Sequence, residues 1–172
     1  LSLALYLATR ARSEKASRSI GQPDSPREKE RSGIASHTCA GDGPLIWFHT
    51  GQDRRGLAAQ ELARRMLAER DDLDFLLTTS SDKRSKSSPY ATFQYVPEEI
   101  LPSIRRFLDH WKPMIAVFTE PDLRPALIAE ASDRDIAMFL IDANTAEADP
   151  QTWRWFKGMS GSLLSRFQRV MT

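Results

Sequence analysis

The chain is short of the residues from which metal and disulfide sites are built: 172 residues hold one cysteine and three histidines. A lone Cys39 excludes an internal disulfide and leaves too few thiols for a zinc cluster. His37, His49 and His110 lie too far apart to carry metal-ligand spacing. The expectation is therefore no metal and no cofactor. Surplus charge of one sign is missing too, since the formal net charge is +1. Neither that balance nor any basic stripe interleaved with aromatics points to a nucleic-acid partner.

Long hydrophobic runs are also absent. Leu1 to Ala8 is largely apolar and is followed by Arg10, Arg12, Lys15 and Arg18. Crossing a bilayer takes about 20 apolar residues, and a secretory signal would put its positive charge first. Two readings stand for residues 1–20: a short surface helix docking on the domain, or an anchor lying on a membrane surface with its arginines on anionic lipid. Residues 21–43 mix Ser, Gly, Pro and alternating charges without apolar periodicity and read as an irregular linker.

What is present begins at Pro44. A hydrophobic fraction of 41% with 27% charged residues suits one globular domain over 44–172. Short apolar runs, Leu45 to Phe48, Leu73 to Thr78, Thr92 to Val96, Met114 to Phe118 and Ala137 to Ile141, have the length and branching of buried strands. Between them lie helical patterns. Ala58, Leu62 and Met66, flanked by Ala59, Ala63 and Leu67, form one stripe, and Ile104, Phe107, Leu108 and Trp111 another. Pro102 and Pro125 suit helix starts, where a missing N–H is harmless. Asp82 to Ser88 reads as a polar loop. Leu163, Leu164 and Phe167 suggest short helices, and Val170 to Thr172 the start of another strand.

Alternating strands and helices imply right-handed crossovers and a Rossmann-like parallel sheet of the α/β class. Ligands of such sheets gather at the carboxyl ends of the strands. That selects three loops: His49 to Gly56, Thr119 to Arg124, and Asp142 to Asp149.

Three blocks carry a family resemblance. Gly43-Pro44-Leu45-Ile46-Trp47-Phe48-His49 is similar to a first strand ending in a histidine. Arg106-Phe107-Leu108-Asp109-His110-Trp111-Lys112-Pro113 is similar to R-F-L-x-x-W-x-P. Phe118-Thr119-Glu120-Pro121-Asp122-Leu123-Arg124-Pro125 stands where F-x-E-x-E-L-W-P-N is found. Together, over nearly the whole chain, they resemble the N-terminal domain of bacterial 3-deoxy-D-manno-octulosonic acid (Kdo) transferases of lipopolysaccharide synthesis. The resemblance implies the acceptor-side half of a two-domain GT-B glycosyltransferase. A lipid A-type acceptor is the implied ligand, with a CMP-Kdo-binding domain or chain as partner at the cytoplasmic face of the inner membrane. It leaves open whether the chain is a fragment of a longer protein or a stand-alone half.

The same resemblance exposes departures. After its histidine the family reads A-x-S-V-G-E, with the glutamate as general base, whereas this chain reads Thr50-Gly51-Gln52-Asp53-Arg54-Arg55. Arg55 stands in the glutamate's place, and a guanidinium stays protonated and has no lone pair to offer. Asp53 is offset by a backbone step and a methylene, and displacement of about 1 Å can lower a rate 100-fold, so it is not expected to substitute. Arg124 and Ala126 replace the family's Trp and Asn, and Asp142-Ala143-Asn144 stands where N-A-R is found. No catalytic residue is therefore expected in this chain.

The resemblance makes His49, Gln52, Arg54, Arg55, Glu120 and Asp122 the candidate acceptor-binding residues. Blander roles exist for each. His49 can bond the backbone at a strand end, and Arg54 and Arg55 can be solvated charges in a first helical turn. Glu120 and Asp122 can cap the following helix. Arginines in a first turn oppose the helix dipole unless an anion such as a phosphate sits between them and the amides. Trp153, Trp155 and Phe156 are expected to close the core rather than form a lipid groove. A non-enzymatic module that binds a protein through its altered cleft face is the competing class.

Overall fold

The computed structural model describes Tyr6, Ala8 and residues 25–38, 43–51, 53–80, 88–119, 124–141 and 160–171, except for the side chains of Asp53, Arg54 and Ser160. The 82–88 loop apart from Ser88, Cys39, the loop beginning at Asp142 and the Trp153, Trp155 and Phe156 group lie outside them. So do most of residues 1–20.

Six strands form one parallel sheet: β1 (Leu45–Thr50), β2 (Asp74–Thr79), β3 (Thr92–Tyr95), β4 (Ile115–Phe118), β5 (Ala137–Leu140) and β6 (Arg169–Val170). Their spatial order is β3-β2-β1-β4-β5-β6, with all neighbours parallel. This is the doubly wound Rossmann order, in which the chain grows outward from β1 and then crosses back to β4 on its other side. Every residue of β1 is buried, as its central place requires.

Alternation along the strands divides the core in two. Ile46, Phe48, Phe75, Leu77 and Phe93 face helix α2 (Asp53–Glu69). Leu45, Trp47, Leu76, Ala116, Phe118, Met138 and Leu140 face α3 (Leu101–Trp111), α4 (Pro125–Ser132) and α5 (Ser160–Leu164). On this second side Trp47 meets Phe107 and Phe118 edge to face at 5.1 and 5.5 Å, and Phe118 meets Phe167 at 5.5 Å. Burying a side chain of this size contributes about 1.5–3 kcal/mol, and edge-to-face contact adds to that.

Two expectations need correction. On α2 Ala59 and Ala63 are buried and Met66 and Leu67 pack half-buried beside them as expected, but Ala58 and Leu62 of the expected stripe are exposed, as is Leu57. Small residues let the helix lie close on the sheet, which turns the larger leucines outward. The segment 21–43 contains a helix, α1 (Pro26–Arg31), where an irregular linker was expected. Ser25 and Glu28 form a reciprocal capping box, and Pro26 occupies the first turn, so six residues suffice to start and stop it.

The segment that carries α1 is stitched to the domain. Glu30 is fully buried and accepts from the Tyr95 amide at 2.8 Å, and Arg27 and Arg31 lie over the Tyr95 ring at 5.3 and 5.6 Å. Arg106 donates twice to the Ser32 carbonyl, and His110 Nε2 is 3.0 Å from the His37 carbonyl. Gly33 adopts φ +79°, and a Cβ there would lie 2.0 Å from the Ser103 carbonyl oxygen. Tyr6 packs, half-buried, against the same core, which favours the docked reading for that residue. No helix among the described residues is long and apolar enough to cross a membrane.

Candidate functional site

The chain reverses its winding direction between β1 and β4, and a crevice opens beyond their carboxyl ends at such a point. His49 pairs with Thr78 on one side and Phe118 on the other, so the central strands end almost level. Thr119 closes the gap. Its amide and hydroxyl both reach the His49 carbonyl, at 3.1 and 3.3 Å.

Arg55 enters from the first turns of α2, half-buried, and its Nη1 donates to the Thr119 carbonyl across the switch point. It is thus a tie between the β1–α2 and β4–α4 connections rather than a solvated charge. Gly56, next along, is buried, and a Cβ there would lie 3.7 Å from the Thr50 hydroxyl, so the helix sits low over the strand end.

His49 lies on the other side of the sheet. Its side chain follows Trp47 toward α3 and α4, only 2% of its surface is exposed, and its ring meets Phe118 edge-on at 5.6 Å. Nδ1 is 3.0 Å from the Thr78 hydroxyl, which also accepts from Trp47 Nε1 at 2.8 Å. His49 and Arg55 are therefore joined through backbone at Thr119 but do not share a face. Gln52, Glu120 and Asp122 lie outside the described residues, as do the side chains of Asp53 and Arg54.

At the end of the 119–124 connection the structure supplies a residue that sequence reasoning passed over. Glu99 accepts from the amides of Ala126 and Leu127 and pairs with Arg124 Nε at 3.2 Å, while Arg124 Nη2 donates to the Pro97 carbonyl at 2.8 Å. Both side chains are largely buried, at 15% and 13% exposed. Glu99 thus bonds the opening amides of α4 in the manner of a cap. Arg124 is the partner that balances its charge. Farther from the crevice, burial pushes the Glu130 carboxyl up. Arg105 and Arg134, bonded to it across α3 and α4, outweigh that and leave it below the usual carboxylate range. No group of three metal-ligating side chains occurs among the described residues.

The parallel sheet, its order and its flanking helices define the class: a Rossmann-like α/β domain consistent with the N-terminal half of a glycosyltransferase. Residues 26–172 match the family described as 3-deoxy-D-manno-octulosonic-acid transferase (kdotransferase), and the chain belongs to that family as its N-terminal domain. It is 29% identical over 157 residues to the 3-deoxy-D-manno-octulosonic acid transferase of Rickettsia bellii, covering 88% of this chain and 37% of that protein. A Rickettsia felis protein of the same name is 26% identical over 132 residues, covering 74% and 28%. An Arabidopsis thaliana protein called probable 3-deoxy-D-manno-octulosonic acid transferase, mitochondrial, is 31% identical over 116 residues, covering 64% and 26%. The matched part of the chain spans 26–37% of the length of these relatives. No solved structure matches it significantly.

Proposed function

We propose that this domain binds a lipid A-type acceptor on its crevice face and does not by itself catalyse Kdo transfer. The observation that carries the reading is the bond from Arg55 to the Thr119 carbonyl. In the transfer reaction that the family relationship suggests, a base removes a proton from an acceptor hydroxyl. The oxygen then attacks the anomeric carbon of Kdo, and CMP leaves with inversion. Arg55, aligned by motif with the glutamate that would serve as base, cannot accept that proton. Its guanidinium is instead engaged in holding two crevice connections together, a role that suits a retained scaffold.

The donor, CMP-Kdo, is held by a separate domain or chain. Gln52, Arg54, Arg55, Glu120 and Asp122 line the acceptor side, and His49 lies beneath it. A cationic first turn on α2 suits the phosphates of a lipid A-type molecule. The domain sits peripherally at the cytoplasmic face of the inner membrane, where the basic residues Arg10, Arg12, Lys15 and Arg18 suit anionic lipid.

The deciding experiment is a transfer assay with CMP-Kdo and a lipid A precursor. No turnover is expected from the 172-residue chain, and turnover would overturn the proposal. Arg55→Glu in the longest natural form of the protein tests whether the base alone is missing. A second reading, a protein-interaction module, draws on Leu57 and Leu62, which are 65% and 41% exposed on the outer side of α2. Thermal shifts discriminate: stabilisation by lipid A analogues favours the acceptor domain, and none favours the interaction module.

A further inference from the structure

The β4–α4 connection is tied at both ends. Thr119, where it starts, accepts from Arg55 and bonds the His49 carbonyl. Arg124, where it ends, donates to the Pro97 carbonyl and pairs with Glu99, and both of these belong to the turn between β3 and α3. The same turn has partners in α1. The Tyr95 amide donates to Glu30 at 2.8 Å, and the Glu98 amide donates to the Arg31 carbonyl at 2.7 Å. Residues 95–99 therefore stand between α1 and the start of α4, bonded to both. Each link resists separation. Glu30 and Tyr95 are buried, so parting them would strand polar groups away from water. Glu99 and Arg124 are largely buried and oppositely charged, so the turn and the start of α4 move together. Pro97 fixes its own φ and narrows the choices of its predecessor, which leaves the turn little room to yield between the two links.

We propose that α1 is a brace for the crevice: docked on β3, it fixes the 95–99 turn, and the turn fixes where the 119–124 connection ends. The meaning for ligand binding rests on the reading proposed above, in which Glu120 and Asp122 of that connection line the acceptor side. The contribution of α1 is then made at a distance, through Arg124 and the opening amides of α4.

Amide hydrogen exchange of the 172-residue chain, followed residue by residue by NMR, tests the brace without any ligand. In Glu30→Ala, exchange at Tyr95 and Glu98 is expected to rise, and exchange at Ala126 and Leu127 to rise with it by about tenfold relative to β1. Coupling is reciprocal, so Arg124→Met, made at the far end, is expected to speed exchange at Tyr95 and Glu98. Ala126 and Leu127 at their parent rates in Glu30→Ala would overturn the proposal, as would Tyr95 and Glu98 at theirs in Arg124→Met. Acceleration of β1 to the same degree would overturn it too, because α1 would then belong to the global core. Should Glu30→Ala fail to fold, Ser25→Ala, which removes the exposed α1 cap, takes its place beside Arg124→Met. Turnover in the transfer assay would defeat the proposed function and leave the brace standing, whereas unmoved α4 amides defeat the brace alone.

Discussion

Arg55 donates to the carbonyl of Thr119, a residue 64 positions away, across the point where the sheet reverses its winding. The bond couples the connections after β1 and β4, and it comes from a charged donor, a stronger class than a neutral pair. Arg55→Met keeps the aliphatic stem and removes the donor. A loss of about 2 kcal/mol is expected, read as a lower urea midpoint at unchanged slope. A change below about 0.5 kcal/mol would mean that the tie does not hold the crevice together.

Glu99 serves three donors at once: two α4 amides and Arg124. Glu99→Ala strands a largely buried guanidinium and uncaps the helix, so a loss of about 3 kcal/mol is expected. Arg124→Met should cost less, because the capping bonds survive. In the double mutant the two losses should fall short of their sum, and strict additivity would show that the pair is not coupled.

Gly33 is the hinge by which the α1 segment turns onto α3. Alanine there would suffer both the positive φ and the collision with the Ser103 carbonyl. Gly33→Ala is expected to destabilise by more than about 1 kcal/mol. Hydrogen exchange should show the amides of Tyr95 and Glu98, which bond to Glu30 and to the Arg31 carbonyl, losing protection before the central strands do. Uniform loss across the sheet would contradict a locally docked segment.

The Glu130 carboxyl titrates lower in the folded chain than its ordinary value of 4.5. A depressed folded value means that its contribution is complete above the unfolded value and fades as pH falls through the folded one. The stability gap between the parent chain and Glu130→Gln should therefore be widest near neutrality and close in acid below about pH 4.5. Thermal melts across that range are the measurement, and a gap that widens on acidification would refute it.

The sheet was legible in the sequence because buried parallel strands leave continuous apolar runs, and Leu45 to Phe48 or Ala137 to Ile141 need no partner to be recognised. Helix α1 was harder. It is six residues long, too short for a period, and its buried member is the charged Glu30. The signal that could have found it is local: Ser25-Pro26-Arg27-Glu28 carries both the capping box and a first-turn proline. On α2 the stripe is legible at Ala59, Ala63, Met66 and Leu67, but Ala58 and Leu62 lie just to its side and face outward, a margin that the sheet's position decides. Site chemistry was the least legible. Glu99 finds Arg124 25 positions away, and His49 finds Thr78 29 positions away, contacts that only the assembled sheet creates.

The carboxylate of Glu99 behaves as a resident anion. It saturates the opening amides of α4 and neutralises Arg124, so the helix pole on the β4 bank is already spoken for. A further anion brought to this helix start would meet the Glu99 carboxylate instead of open amides, so the β4 bank resists a second negative charge.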